Sequence, residues 1–124
     1  MIITKQNMII YVDVDETICH YDMVNREGST NYRQAKPYND RISKINKLYE
    51  EGHTIVYWTA RGTKTGLNWF KVTLDQLDAW NCKYHELRMG KPSYDLFIDD
   101  KNINSESFFD SKVLDEINSL SQRK

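Results

Sequence analysis

The chain has 124 residues, 40% of them hydrophobic and 12% aromatic, and a formal net charge of −1 at neutral pH. That length predicts one domain with a single core and no room for a second. The composition excludes a disordered chain, and the charge provides no basic field to draw the protein to nucleic acid.

Two cysteines, Cys19 and Cys82, lack the spacing of a zinc site or a disulfide framework, so a reducing cytosol is the expected compartment. Residues 8–14, Met8-Ile9-Ile10-Tyr11-Val12-Asp13-Val14, are β-branched and apolar and predict a fully buried first strand. Asp13 breaks the run, leaving it too short for export or for a membrane span. Residues 16–36 then lose all periodicity around Gly28-Ser29-Thr30-Asn31. A connection this long in so small a domain predicts a functional flap, with only a weak hairpin signal inside it.

Pro37 opens a helix in which Ile42, Ile45, Leu48 and Tyr49 recur at three- and four-residue spacing, and Gly52 closes it. Residues 53–59 form a second buried-strand run that ends in Thr59-Ala60-Arg61-Gly62. A second helix is expected over 67–80, with Trp69, Phe70, Thr73, Leu74 and Leu77 on its apolar side, and a short strand over 82–87. Met89-Gly90-Lys91-Pro92 reads as a turn, and residues 94–98 as the last strand, ending at Asp99-Asp100. A final amphipathic helix uses Val113, Leu114, Ile117 and Leu120. Trp58, Trp69 and Trp80 read as core. The order predicts an α/β fold, a Rossmann-like parallel sheet with helices on both faces.

The chemistry gathers at predicted strand ends, where open α/β sheets bind their ligands. Residues two apart in a strand share a face, so Asp13 and Asp15 of Asp13-Val14-Asp15-Glu16-Thr17 start side by side. Two carboxylates so close repel each other unless a cation or a shared proton intervenes, and Mg²⁺ prefers such oxygen ligands. Alone, the pair suits an ordinary turn. Thr59, Lys91 and Asp99-Asp100 also have plain uses singly, as a strand end, a solvated turn lysine and a cap. In a parallel sheet, however, all of them converge on one edge.

In order, these residues resemble the haloacid dehalogenase-like phosphohydrolase superfamily: Asp-x-Asp-x-Thr after a strand, Thr after a second, a Lys, then paired Asp after an apolar strand. The resemblance covers most of the chain and implies a single capless domain over 1–124. It implies that Asp13 attacks phosphorus and forms an aspartyl-phosphate, that Asp15 serves as acid and then base, and that Thr17 braces their loop. Thr59, with nearby backbone N–H groups such as that of Ala60, would bind a phosphoryl oxygen. Lys91 would offset charge. Mg²⁺ would be held by Asp13, the Asp15 carbonyl and Asp100, with Asp99 in support. From their own places in the chain, Arg61 suits binding of a second anionic group or anchoring of its loop, and His20 and Tyr21, just past the first acidic loop, suit either substrate contact or flap surface.

Capless relatives either close their site by forming homo-oligomers or act on macromolecules. The runs Trp58-Thr59-Ala60-Arg61-Gly62 and Gly90-Lys91-Pro92-Ser93-Tyr94-Asp95-Leu96-Phe97-Ile98-Asp99-Asp100-Lys101 resemble small phosphatases of capsular and surface polysaccharide biosynthesis. That implies a small phosphorylated sugar, polyol or amino-alcohol as substrate, with a nucleotide or polynucleotide end as the alternative. A receiver-like phospho-acceptor domain is the alternative of another class. It would put adjacent acids on the first strand and its phosphorylated Asp on a later one, the reverse of the order here.

Overall fold

The computed structural model describes residues 7–22 and 31–110. In chain order the elements are β1 (Ile9–Asp13), β2 (Cys19–His20), a 3₁₀ turn (Tyr32–Gln34), β3 (Lys36–Pro37), α1 (Asn39–Glu50), β4 (Thr54–Trp58), α2 (Phe70–Ala79), β5 (Glu86–Arg88) and α3 (Ser105–Phe109). β1, β4 and β5 lie side by side in that order as a parallel sheet. Asp13, Trp58 and Arg88 are level with one another, so the residues that follow them emerge along one edge.

α1 forms because Ile42, Ile45 and Leu48 fall on one stripe and all three are buried, each contributing roughly 1.5–3 kcal/mol. Asp40 in its first turn complements the helix dipole. Gly52, at a φ of 101°, ends it, and His53 N then donates to Leu48 O at 3.1 Å. Ile10 and Val12 of β1 and Ile55 and Tyr57 of β4 point to the same side. There they join α1, Leu77 of α2 and Phe109 of α3 in one core.

Several expectations differ from this architecture. Both crossovers step the same way along the sheet, and right-handed connections then set α1 and α2 on the same face, so among the described residues the helices pack on one face of the sheet. On the opposite face Ile9 is 69% and Tyr11 47% exposed, so β1 is not fully buried; among the described residues it is an edge strand. Residues 94–98 form no strand, and Leu96 and Ile98 are 75% and 88% exposed. Lys91 N still bonds Thr59 O at the end of β4, and the two residues between Lys91 and Tyr94 cannot make a parallel return, which takes about a dozen or more. α2 starts at Phe70 rather than 67 because Asn68 Oδ1 accepts from Phe70 N at 2.9 Å. β5 is three residues long, and the predicted helix with Val113, Leu114, Ile117 and Leu120 lies outside the described residues.

The 16–36 connection does contain a hairpin at its base. β2 and β3 pair antiparallel, Cys19 with Pro37 and His20 with Lys36.

Candidate active site

β1 ends at Asp13 and the chain turns at once. Thr17 N and Ile18 N both donate to Val14 O, and Glu16 takes a φ of 62°. This turn separates the two acids. Asp13 stays at the strand end, its Oδ1 3.3 Å from Lys91 Nζ and its Oδ2 accepting from Thr17 Oγ1 at 3.3 Å. Burial pushes its carboxyl above the ordinary aspartate value, while Lys91 pulls the other way. Lys91 is aimed by its own backbone, whose N donates to Thr59 O at 3.0 Å and whose O accepts from Thr63 Oγ1 at 2.7 Å.

Asp15 faces Arg61 instead. Arg61 Nε reaches Asp15 Oδ2 at 3.0 Å and Nη2 reaches Oδ1 at 2.9 Å, a two-pronged pair with a guanidinium that is 0% exposed. The remaining donors are engaged as well. Nη1 bonds Thr73 Oγ1 at 3.1 Å and Gln76 Oε1 at 2.5 Å, and Nη2 lies 3.4 Å from Tyr21 Oη, while Tyr32 stacks on the guanidinium at 4.9 Å. Tyr21 donates to Asp15 Oδ1 at 2.5 Å, and burial, then the Asp15 charge, push its hydroxyl well above the ordinary tyrosine range. Arg61 is therefore the anchor of its loop and of Asp15. A substrate-binding role for it would require donors that are already taken.

Thr59, 1% exposed, accepts from Arg61 N at 3.1 Å through its hydroxyl oxygen, which leaves the hydroxyl proton to donate elsewhere. The loop beyond it depends on Gly62, at a φ of 82°, where a Cβ would sit 2.1 Å from Leu67 O. Only glycine fits there.

Asp13, Asp15, Thr59, Ala60, Arg61 and Lys91 thus come together in one cleft of about 1140 Å³. Tyr21, Tyr32, Trp69 and Tyr94 supply its rings, so Trp69 is a cleft wall rather than core. Thr17 sits behind, braced on Asp13. His20 does not line the cleft; it pairs with Lys36 across the hairpin and stacks on Tyr38, ring centroids 4.5 Å apart.

Asp99 and Asp100 are not brought in. Asp99 Oδ1 accepts from Asp100 N at 2.7 Å, and Asp100 Oδ2 pairs with Lys101 at 3.0 Å on the surface. The strand that was to carry them to the edge does not form. Among the described residues no three acids, histidines or cysteines are grouped to hold an ion. Of the groups expected to hold Mg²⁺, Asp13 and Asp15 line the cleft, the latter with its side chain committed to Arg61 and only its main chain left for a cation, while Asp99 and Asp100 do not; Glu16 and Asp22 line it as well, Asp22 paired with Lys36.

Gln76, Thr73 and Tyr32 carry no motif. The one signal for the first two was their inward position beside Leu77 on the α2 face, where polar residues need buried partners.

No family model and no curated protein matches the chain. Among solved structures, a structural genomics target from Vibrio cholerae is similar over 94% of this chain and 97% of its own, at 24% identity and a TM-score of 0.72. The fold is shared. At that identity the likeness speaks for the α/β architecture with its parallel sheet and for nothing at the cleft. No helix among the described residues is long and apolar enough to cross a membrane.

Proposed function

We propose that the protein is a phosphomonoester hydrolase of the haloacid dehalogenase type. It would work through an aspartyl-phosphate on a small phosphorylated sugar, polyol or amino-alcohol, in the setting of capsular polysaccharide biosynthesis. The observation that supports this best is Asp13, a partly buried carboxylate at the end of a parallel strand, 3.3 Å from the Lys91 ammonium and in one cleft with the Thr59 hydroxyl. An Asp13 oxygen attacks phosphorus and the bond to the leaving oxygen breaks; water then cleaves the acyl phosphate, freeing Asp13 and inorganic phosphate. Thr59 donates its free proton to a phosphoryl oxygen, and Lys91 offsets the charge of nucleophile and phosphate. Asp15 parts one oxygen from the Arg61 fork and takes up a proton from solvent, gives that proton to the leaving oxygen, and then takes a proton from the attacking water.

The resemblance also implies Mg²⁺; of the ligands it assigns, Asp13 and Asp15 line the cleft and Asp100 does not. If turnover proves metal-dependent, Asp100 is the first candidate to complete the ligand set, and Asp100→Asn tests it. A nucleotide substrate is the second reading, favoured by the rings of Tyr32, Trp69 and Tyr94, which offer faces to a base. A receiver-like domain fits less well, since β4 is followed by Thr59 rather than by an acid.

The test is phosphate release by purified protein across phosphorylated sugars, polyols, amino-alcohols and nucleotides, with Mg²⁺ and with EDTA. Turnover is expected in at least one class and is expected to vanish in EDTA and in folded Asp13→Asn. Full activity in Asp13→Asn would move the nucleophile elsewhere, and full activity in EDTA would remove the metal from the reading.

A further inference from the structure

Gln76 sits in the middle of α2 and partly buried, and its amide makes two bonds in opposite directions. Oε1 accepts from Arg61 Nη1 at 2.5 Å, and Nε2 donates to the backbone carbonyl of Tyr32 at 2.7 Å. The amide orientation follows from the partners. A guanidinium has no acceptor and a carbonyl has no donor, so the flipped amide would face donor with donor and acceptor with acceptor.

On one side of Gln76 stands the guanidinium that grips both oxygens of Asp15. On the other stands the 3₁₀ turn, whose Tyr32 stacks over that guanidinium at 4.9 Å and meets Trp69 edge-on at 5.0 Å. Tyr32 and Trp69 are both walls of the cleft. Thr73, one turn earlier, adds a second acceptor for Arg61 and is itself tied to Trp69 O at 2.7 Å, so α2 holds the guanidinium at two points.

We infer that Gln76 is a positioning residue: one amide holds Arg61 against Asp15 and ties Tyr32 to α2, so that the Asp15 carboxylate and the aromatic wall of the cleft are set together. The kinetic consequence rests on the phosphatase reading; the structural one does not.

Two substitutions separate the two bonds. Gln76→Glu keeps an acceptor for Arg61 but turns a carboxylate oxygen toward the Tyr32 carbonyl, so the wall is released while Asp15 stays gripped. Gln76→Met has similar length and loses both bonds. For the best substrate of the phosphate-release panel, Gln76→Glu is expected to raise KM roughly fivefold, the size of one neutral hydrogen bond, with kcat held within about twofold. Gln76→Met is expected to raise KM and to lower kcat as well. Wild-type KM and kcat in both variants, with only a changed melting temperature, would mean that Gln76 merely packs and would overturn the inference.

A second readout does not depend on turnover. In protein carrying fluorinated tryptophan, the Trp69 resonance, assigned by Trp69→Phe, is expected to shift in both variants while that of Trp58, on β4 against Tyr11, stays in place. An unmoved Trp69 resonance in Gln76→Glu would also overturn the inference. If the wild type releases phosphate from no substrate, the proposed function fails and this measurement still decides the tie between α2 and the Tyr32 wall.

Discussion

Replacing Asp15 by Asn tests how far the two acids at the end of β1 have parted in role. Asn keeps the shape and one acceptor, but it removes the charge opposite a guanidinium that is 0% exposed and turns an amide NH₂ toward its N–H groups. The other partners of Arg61, namely Thr73, Gln76 and Tyr21, are neutral and cannot replace that charge. Removing one partner of a buried pair costs about 3–5 kcal/mol, because the surviving charge stays desolvated and unpaired. Asp15 is itself 24% exposed, which favours the lower end, about 3 kcal/mol. With unfolding entropies of about 2 cal/mol/K per residue, a chain of this length would lose roughly 10 °C in Tm. Urea denaturation at neutral pH, followed by far-UV circular dichroism, should show an earlier midpoint at unchanged slope. A loss below about 1 kcal/mol would refute the reasoning: the pair would then separate at little cost, and Asp15 would be free to leave Arg61 and carry protons.

Asp13→Asn should behave in the opposite way. The Asp13 carboxyl lies above its ordinary value of 3.8 because burial disfavours the charge, so this group favours folding below about that pH and the advantage is lost as pH rises through the folded value. At neutral pH the Asn variant is therefore expected to melt higher than wild type, with the gain disappearing near pH 3.8 and below, as scanning calorimetry over a pH series would show. A variant that melts lower at neutral pH would mean that the Lys91 contact outweighs burial. Lys91→Met removes the charge that holds the Asp13 carboxyl down; the acid limb of the rate profile is expected to move to higher pH, and kcat to fall by about 10²-fold or more. An unmoved limb would separate Lys91 from the ionisation of Asp13.

Much of the fold was readable because hydrophobic period and punctuation agreed. Ile42, Ile45 and Leu48 mark a buried stripe and Gly52 a left-handed stop, and both are where the pattern calls for them. Residues 94–98 failed on a different count. Their apolar run is as strand-like as β1, but periodicity says nothing of connection length, and Lys91 is still bound to Thr59 three residues before the run begins. The same oversight carried Asp99 and Asp100 into the expected site. β1 misled in a subtler way, since an unbroken apolar run reads alike whether its second face is covered or open.

At the cleft, spacing pointed to Asp13, Asp15, Thr59 and Lys91 together but not to their partners. Asp13 and Asp15 are alike in sequence, and a straight strand would have kept them side by side. The turn at Val14 and the left-handed Glu16 instead send one toward Lys91 and the other toward Arg61. That division removes the repulsion that argued for a metal in the first place: each carboxylate already has a cation. The need for Mg²⁺ therefore cannot be argued from the charge of the acid pair. On the proposed function it would come from the phosphate, whose added charge would exceed what Lys91 alone can offset once Arg61 is committed to Asp15. Metal dependence should accordingly track occupancy of the cleft. Calorimetric titration with Mg²⁺ should show weak binding to the free protein and tighter binding when inorganic phosphate is present, and equal affinity in both would return the acid pair to the role of metal site.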